Sequence, residues 1–244
     1  MAMLRERLRV NGSDLVARKL LVRVLALTGD LGAARSEVKE LAEHLPANDP
    51  SPAIELGHAL ELSHRYDEAL AAYDEAASVA PTSPDGPREG GLRSARWGEA
   101  EEARSRLEEA LRRGARDAET WHALGLVRLH LGDYDAAEQA YRAGAAAAPG
   151  AAESWLGLAS VAIARGDAGQ ALAAYDEVVA RRPRFGAAQL GRAWALMRLG
   201  RRDDAARALD RAEELGAAPA IVARQRAALT GGEEGDAHSI RPPR

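Results

Sequence analysis

His122 and His130 lie eight residues apart, close to two turns of a helix, so both imidazoles could face the same way. Two imidazoles could begin a zinc site, but such a site needs three or four ligands and no carboxylate pair stands near them. They are read instead as polar surface groups. Cysteine is absent, which removes disulfides, thiolate nucleophiles and Cys-ligated metals. There is no His-Glu-x-x-His, no phosphate-cradling glycine loop and no Gly-x-Ser-x-Gly elbow. No catalytic residue, metal ligand or cofactor contact is therefore assigned, and a non-catalytic protein is expected.

Recognition is the remaining chemistry, and composition narrows it. The 244 residues carry a net charge of −4, which argues against a protein whose main task is coating nucleic acid. Charge is uneven, however. Eleven acidic residues against five Arg lie between Asp67 and Glu109, and nine Arg against three Asp lie between Arg181 and Arg211. The basic end could meet RNA or an acidic partner, or the acidic middle of a second copy in weak head-to-tail self-association. Hydrophobic residues make up 46% but aromatics only 4%, so the buried surface must be mostly Ala and Leu, both good helix formers. Only two of the 33 basic residues are Lys, a bias that suggests a high-GC bacterial genome. No apolar run has signal-peptide or membrane-span length, so a cytoplasmic location and no membrane partner are expected.

The scaffold for these groups is announced by a repeat. A shift of 34 residues places Trp121 on Trp155, Leu124 on Leu158, Gly132 on Gly166, Ala137 on Ala171, Tyr141 on Tyr175 and Pro149 on Pro183. That period predicts stacked helical hairpins. Six units fit, at 15–48, 50–83, 84–117, 118–151, 152–185 and 186–219. Residues 1–14 read as an N-terminal extension with a short helix, with Ser13 a candidate cap for the first helix of the first unit. Residues 219–229 read as a capping helix and 230–244 as a disordered tail. Ser51-Pro52 suggests an N-cap and first-turn pair at the start of the second unit. Pro84, Gly86, Pro87, Gly90 and Gly91 predict a first helix of the third unit that starts late and is weak. Gly-Asp pairs at 132–133 and 166–167 suggest a left-handed turn residue followed by a helix cap.

Trp121, Leu124-Gly125, Gly132-Asp133-Tyr134, Ala137, Tyr141 and Pro149 together resemble the signature of the tetratricopeptide repeat family. The resemblance covers about residues 15–219. It implies an all-α, right-handed superhelical solenoid of antiparallel hairpins whose first helices line a concave groove for a partner protein or peptide. In the family's phase, the groove positions to be expected include Arg88, Arg96, His122, Leu126, Leu129, His130, Leu156, Ile163, Leu190, Trp194 and Met197. The last five would form a contiguous exposed apolar patch, unless the cap helix or tail folds over it. The carboxylate clamp that some members use on chaperone tails needs groove Asn, and Asn11 and Asn48 fall on no groove position. The expected role is an adaptor or scaffold. An RNA-binding repeat and an accessory subunit of an enzyme or of a secretion or regulatory complex are the alternatives.

Overall fold

The computed structural model describes residues 1–230; the rest of the segment read as a disordered tail, 231–244, lies outside the described residues. The chain divides into two compact units, Met1–Arg116 and Asp117–Arg244. Among the described residues both units are entirely helical. The first contains α1 (Ala2–Val10), α2 (Leu15–Leu27), α3 (Leu31–Glu43), α4 (Ser51–Leu62), α5 (Tyr66–Val79), α6 (Asp85–Trp97) and α7 (Ala100–Arg112). The second contains α8 (Ala118–His130), α9 (Tyr134–Ala147), α10 (Glu153–Ala164), α11 (Ala168–Arg181), α12 (Gly186–Arg198), α13 (Arg202–Glu214) and α14 (Pro219–Thr230). After α1, consecutive helices pair as antiparallel hairpins that stack within each unit, and α14 follows the last pair. No described helix is long and apolar enough to cross a membrane.

Turn chemistry sets the hairpins. Gly132 (φ 80°) and Gly166 (φ 74°) are left-handed, and Asp133 and Asp167 after them accept from the backbone N–H of Ala136 and Gln170 at 3.1 and 2.9 Å. Each cap satisfies a donor that the first helical turn leaves open and contributes about 1 kcal/mol. Two other starts differ from the sequence reading. Asp14, not Ser13, caps α2, because its carboxylate reaches Ala17 N at 2.9 Å. Asp49 accepts from Ser51 N at 2.8 Å, so Ser51 is the first residue of α4 and not its cap.

The third unit's first helix also departs from expectation. α6 starts directly after Pro84 and runs its full 13 residues. Pro87 falls in the first turn, where a missing N–H costs nothing. The glycines serve close packing: a Cβ on Gly86 would stand 2.4 Å from Ala77 N, and one on Gly91 2.8 Å from the Leu107 side chain. What reads as helix-breaking composition is the imprint of neighbouring helices.

Buried tyrosines knit the hairpins. Tyr73 and Tyr141 are fully buried and Tyr175 nearly so. A Cβ on Gly57 would come within 2.5 Å of the Tyr73 ring, one on Gly157 within 2.2 Å of Tyr141, and one on Gly191 within 2.2 Å of Tyr175. At the C-terminal end Val222 of α14 joins a core with Leu190, Trp194, Leu196 and Leu209, against which Ile221 and Leu229 also pack.

Candidate functional site

The first helices of the two units present different faces. In the N-terminal unit, α2, α4 and α6 are joined by a ladder of charges one repeat apart. Arg23 grips Glu55 with two hydrogen bonds, Nε to Oε2 and Nη2 to Oε1, both 2.9 Å. His58 is next, its Nδ1 3.2 Å from Arg23 Nη2 and its Nε2 3.3 Å from Glu89 Oε2. Arg93 donates to Glu61 at 2.7 Å and lies 3.2 Å from Glu89. Arg96 reaches the other Glu61 oxygen at 3.4 Å, and Arg88 reaches Glu89 at 2.6 Å.

Burial makes this ladder matter. Glu55 is only 4% exposed. Loss of solvent disfavours its charge, but hydrogen bonds from His58 and Arg23 outweigh that and hold its carboxyl at about 2. Burial likewise opposes the His58 charge, yet Glu55 and Glu89 together raise its affinity for a proton above the ordinary histidine value. Glu89 is held down against its own burial by His58, Arg93 and Arg88. The face is polar but largely satisfied from within.

In the C-terminal unit the corresponding face is apolar. Leu126 on α8 is 51% exposed. Leu129, Leu156, Ile163 and Met197 are half-buried, the last two against the core that holds Trp194. His122 is half-buried, with its ring 5.5 Å from Tyr141 and its Nδ1 buried without a hydrogen-bond partner among the described residues. Burial lowers its proton affinity, and Glu153 offsets this only in part. His130 is exposed at the end of α8.

Two of the expected groove residues are not on the surface. Leu190 and Trp194 are 3% and 4% exposed, so the anticipated exposed patch of five does not exist. Both belong to a core shared with Ala162, Ala171 and Leu172 of the preceding hairpin, Leu209 of α13 and Val222 of α14, which packs on α13 and α12. Of the remaining expected residues, Arg88 is half-buried on the ladder and Arg96 is exposed at its end. The sequence reading missed Glu55, Glu89 and Arg93. Glu89 lies one residue beside Arg88, an expected groove position, and Glu55 lies one repeat before Glu89. The signal that could have found them is the recurrence of Glu at 34-residue spacing, with a cation about one repeat away.

A separate cavity of about 400 Å³ opens between α9, α10 and α11, over Trp155, Leu158 and Val161. Its rim carboxylates are engaged, Glu138 by Arg142 and Arg165 and Glu177 by Arg181.

Known proteins share this architecture. Models of the tetratricopeptide repeat family match residues 118–161 and 162–229. Among solved structures, YrrB, described as a TPR protein with an unusual peptide-binding site, superposes with a TM-score of 0.68 at 19% identity, covering 78% of this chain and 97% of its own. The C-terminal part of a TPR repeat-containing protein from Cytophaga hutchinsonii gives 0.72 at 14% identity, covering 92% of each chain. A tetratricopeptide repeat protein from Parabacteroides merdae gives 0.63 at 19% identity, covering 90% of this chain and 86% of its own. These likenesses concern the fold. No curated protein matches the chain.

Proposed function

Because this chain is a tetratricopeptide repeat protein, a scaffold of the kind that mediates protein interactions, we propose that it binds a partner peptide or protein segment on the first-helix face of its C-terminal unit. The observation that carries this reading is Leu126, a large apolar side chain left half-exposed on α8, on the same run of first helices as partly buried Leu129, Leu156 and Ile163 of α8 and α10. Apolar area held on rigid helices offers contact surface that costs little ordering on binding. Arg and His groups at its margins, His130 foremost, orient the ligand by charge and hydrogen bonding. The peptide-binding site for which YrrB is described supports the same use of the scaffold here.

Binding and not catalysis is the role, and the ligand's apolar residues are its anchors. Affinity capture from native lysate with the wild-type chain and with Leu126→Glu tests this. The variant should lose the captured partner while keeping its helical signal and melting behaviour, since Leu126 is exposed. Equal recovery by both would overturn the assignment. A basic C-terminal end that binds RNA is the second reading, favoured only by its Arg content; RNA affinity that does not change with salt would dispose of it.

A further inference from the structure

We propose that the N-terminal face formed by α1 and α2 is a second docking surface, built for an acidic amphipathic helix of a partner protein. Six of the ten large hydrophobic side chains exposed among the described residues lie within residues 1–27. On α2 they are Val16, Leu20 and Leu27, at 65%, 46% and 66% exposure, spaced to form one stripe.

Their place in the repeat explains what shape would cover them. Gly29 and His64 are equivalent left-handed turn residues, 35 apart, which aligns Val16, Leu20 and Leu27 with Ser51, Glu55 and Leu62. Those counterparts are buried or half-buried, because α4 packs against α2 and α3 of the preceding hairpin. The stripe on α2 is therefore a stacking face, shaped to take helices. Among the described residues α1 alone lies beside it, a nine-residue helix none of whose residues is buried. The opposite end of the chain is treated differently, with Val222 and Gln225 of α14 each 2% exposed.

Charge specifies the occupant. Residues 1–27 contain six cations and two carboxylates, in a chain of net charge −4. Arg7 pairs with Asp14, Arg9 with Glu6, Arg18 with Glu37 and Arg23 with Glu55. Arg5 and Lys19 make no ion pair among the described residues, and both local carboxylates are already engaged. A second copy meeting this face head to head would oppose like charges across a dry stripe. A helix with apolar residues along one side and Asp or Glu at its flanks satisfies both features.

The test is a displayed library of helical peptides selected on the full chain, with counter-selection on Leu20→Glu/Leu27→Glu. Peptides that need the wild-type face should bind the double variant about tenfold or more weakly. They should carry apolar residues at i, i+4, i+7 and i+11 with Asp and Glu outnumbering Lys and Arg, and bind less well as salt is added. They should be retained by Leu126→Glu, which separates this face from the one on the C-terminal unit. Both substituted leucines are exposed, so circular dichroism should show no loss of helix, and Val16→Glu provides an independent second variant. The proposal is overturned if no peptide distinguishes the two chains, or if those that do are basic or lack helical spacing. It is equally overturned if the wild type, and not the double variant, sediments with phosphatidylserine vesicles or forms a dimer.

Discussion

One repeat position separates the two halves of this protein. At residues 55, 89, 123, 157 and 191 the chain reads Glu, Glu, Ala, Gly and Gly. In the N-terminal unit the two glutamates are rungs of a ladder that ties each first helix to the next through Arg23 and His58, to which Arg93 adds its bond to Glu61. In the C-terminal unit the two glycines leave a hollow that the tyrosine of the preceding hairpin fills, Tyr141 at Gly157 and Tyr175 at Gly191. The same stack can thus be joined by charge on its first-helix face or by aromatic packing beneath it. Where charge joins it, the polar groups of the face are consumed in holding the hairpins together. Where tyrosine joins it, the face is left to leucines such as Leu126, which is why binding is proposed there.

The packing side of this contrast can be broken most severely at Trp194. Truncation to Ala should destabilise the C-terminal unit by about 3–5 kcal/mol, since it empties a buried aromatic site shared with Leu190, Leu209 and Val222. Urea unfolding followed by circular dichroism measures it; a change near zero would return Trp194 to the surface. Gly157→Val comes next. Its Cβ would stand 2.2 Å from the Tyr141 ring, and overpacking of this kind costs about 1–3 kcal/mol. Ala123 holds the same repeat position naturally, so the penalty belongs to Tyr141 packed against Gly157 and not to the helix.

The charged side yields to acid and to Glu55→Gln. The amide keeps the shape of Glu55 but gives up its charge-assisted bonds to Arg23, a loss of about 1–3 kcal/mol. Because the folded carboxyl titrates at about 2 against an ordinary value of 4.5, its contribution is complete above 4.5 and fades as pH falls towards 2. Acid unfolding of the N-terminal unit should therefore be shallower in the variant. An unchanged acid limb would mean that the ladder is ornamental.

How much can be read from sequence differs between the two joints. Pro149, Gly132, Asp133 and Tyr141 announce hairpin, turn and core because each has one dominant physical use, and the structure puts them to it. The groove residues are legible only as a phase. Exposure at Leu190 and Trp194 depends on whether other helices lie across them, and nothing in their own spacing says that those of the preceding hairpin, α13 and α14 do. Gly86, Gly90 and Gly91 mislead for the opposite reason. Helix propensity counts their cost, but their benefit is room for Ala77, Arg106 and Leu107, residues of other helices. Glu55 and Glu89 escape notice because carboxylates on a helix are ordinarily solvated, and their pairing with Arg23 and His58 depends on residues about one repeat away.

The smallest effect is also the one that tests the comparison most evenly, because it uses the same residue type in both units. His58 and His122 each rest beside an equivalent tyrosine, with ring centroids 5.8 Å from Tyr73 and 5.5 Å from Tyr141. Their surroundings differ in charge: Glu55, Glu89 and Arg23 face His58, while His122 is faced by the buried Tyr141 and, among the described residues, acted on by the charge of Glu153 alone. His58 has its proton affinity raised, so its contribution is complete below the ordinary value of 6.5 and is lost as pH rises through the folded value. His122 has its affinity lowered by burial, so its contribution is complete above 6.5 and is lost as pH falls through the folded value. Moving from mildly alkaline to mildly acidic solution should then protect amides of the N-terminal unit from hydrogen exchange and expose those of the C-terminal unit. His58→Gln should flatten the first response and His122→Phe the second, each without touching the other. Parallel responses in the two units would show that a common charge effect, and not these two imidazoles, governs their stability.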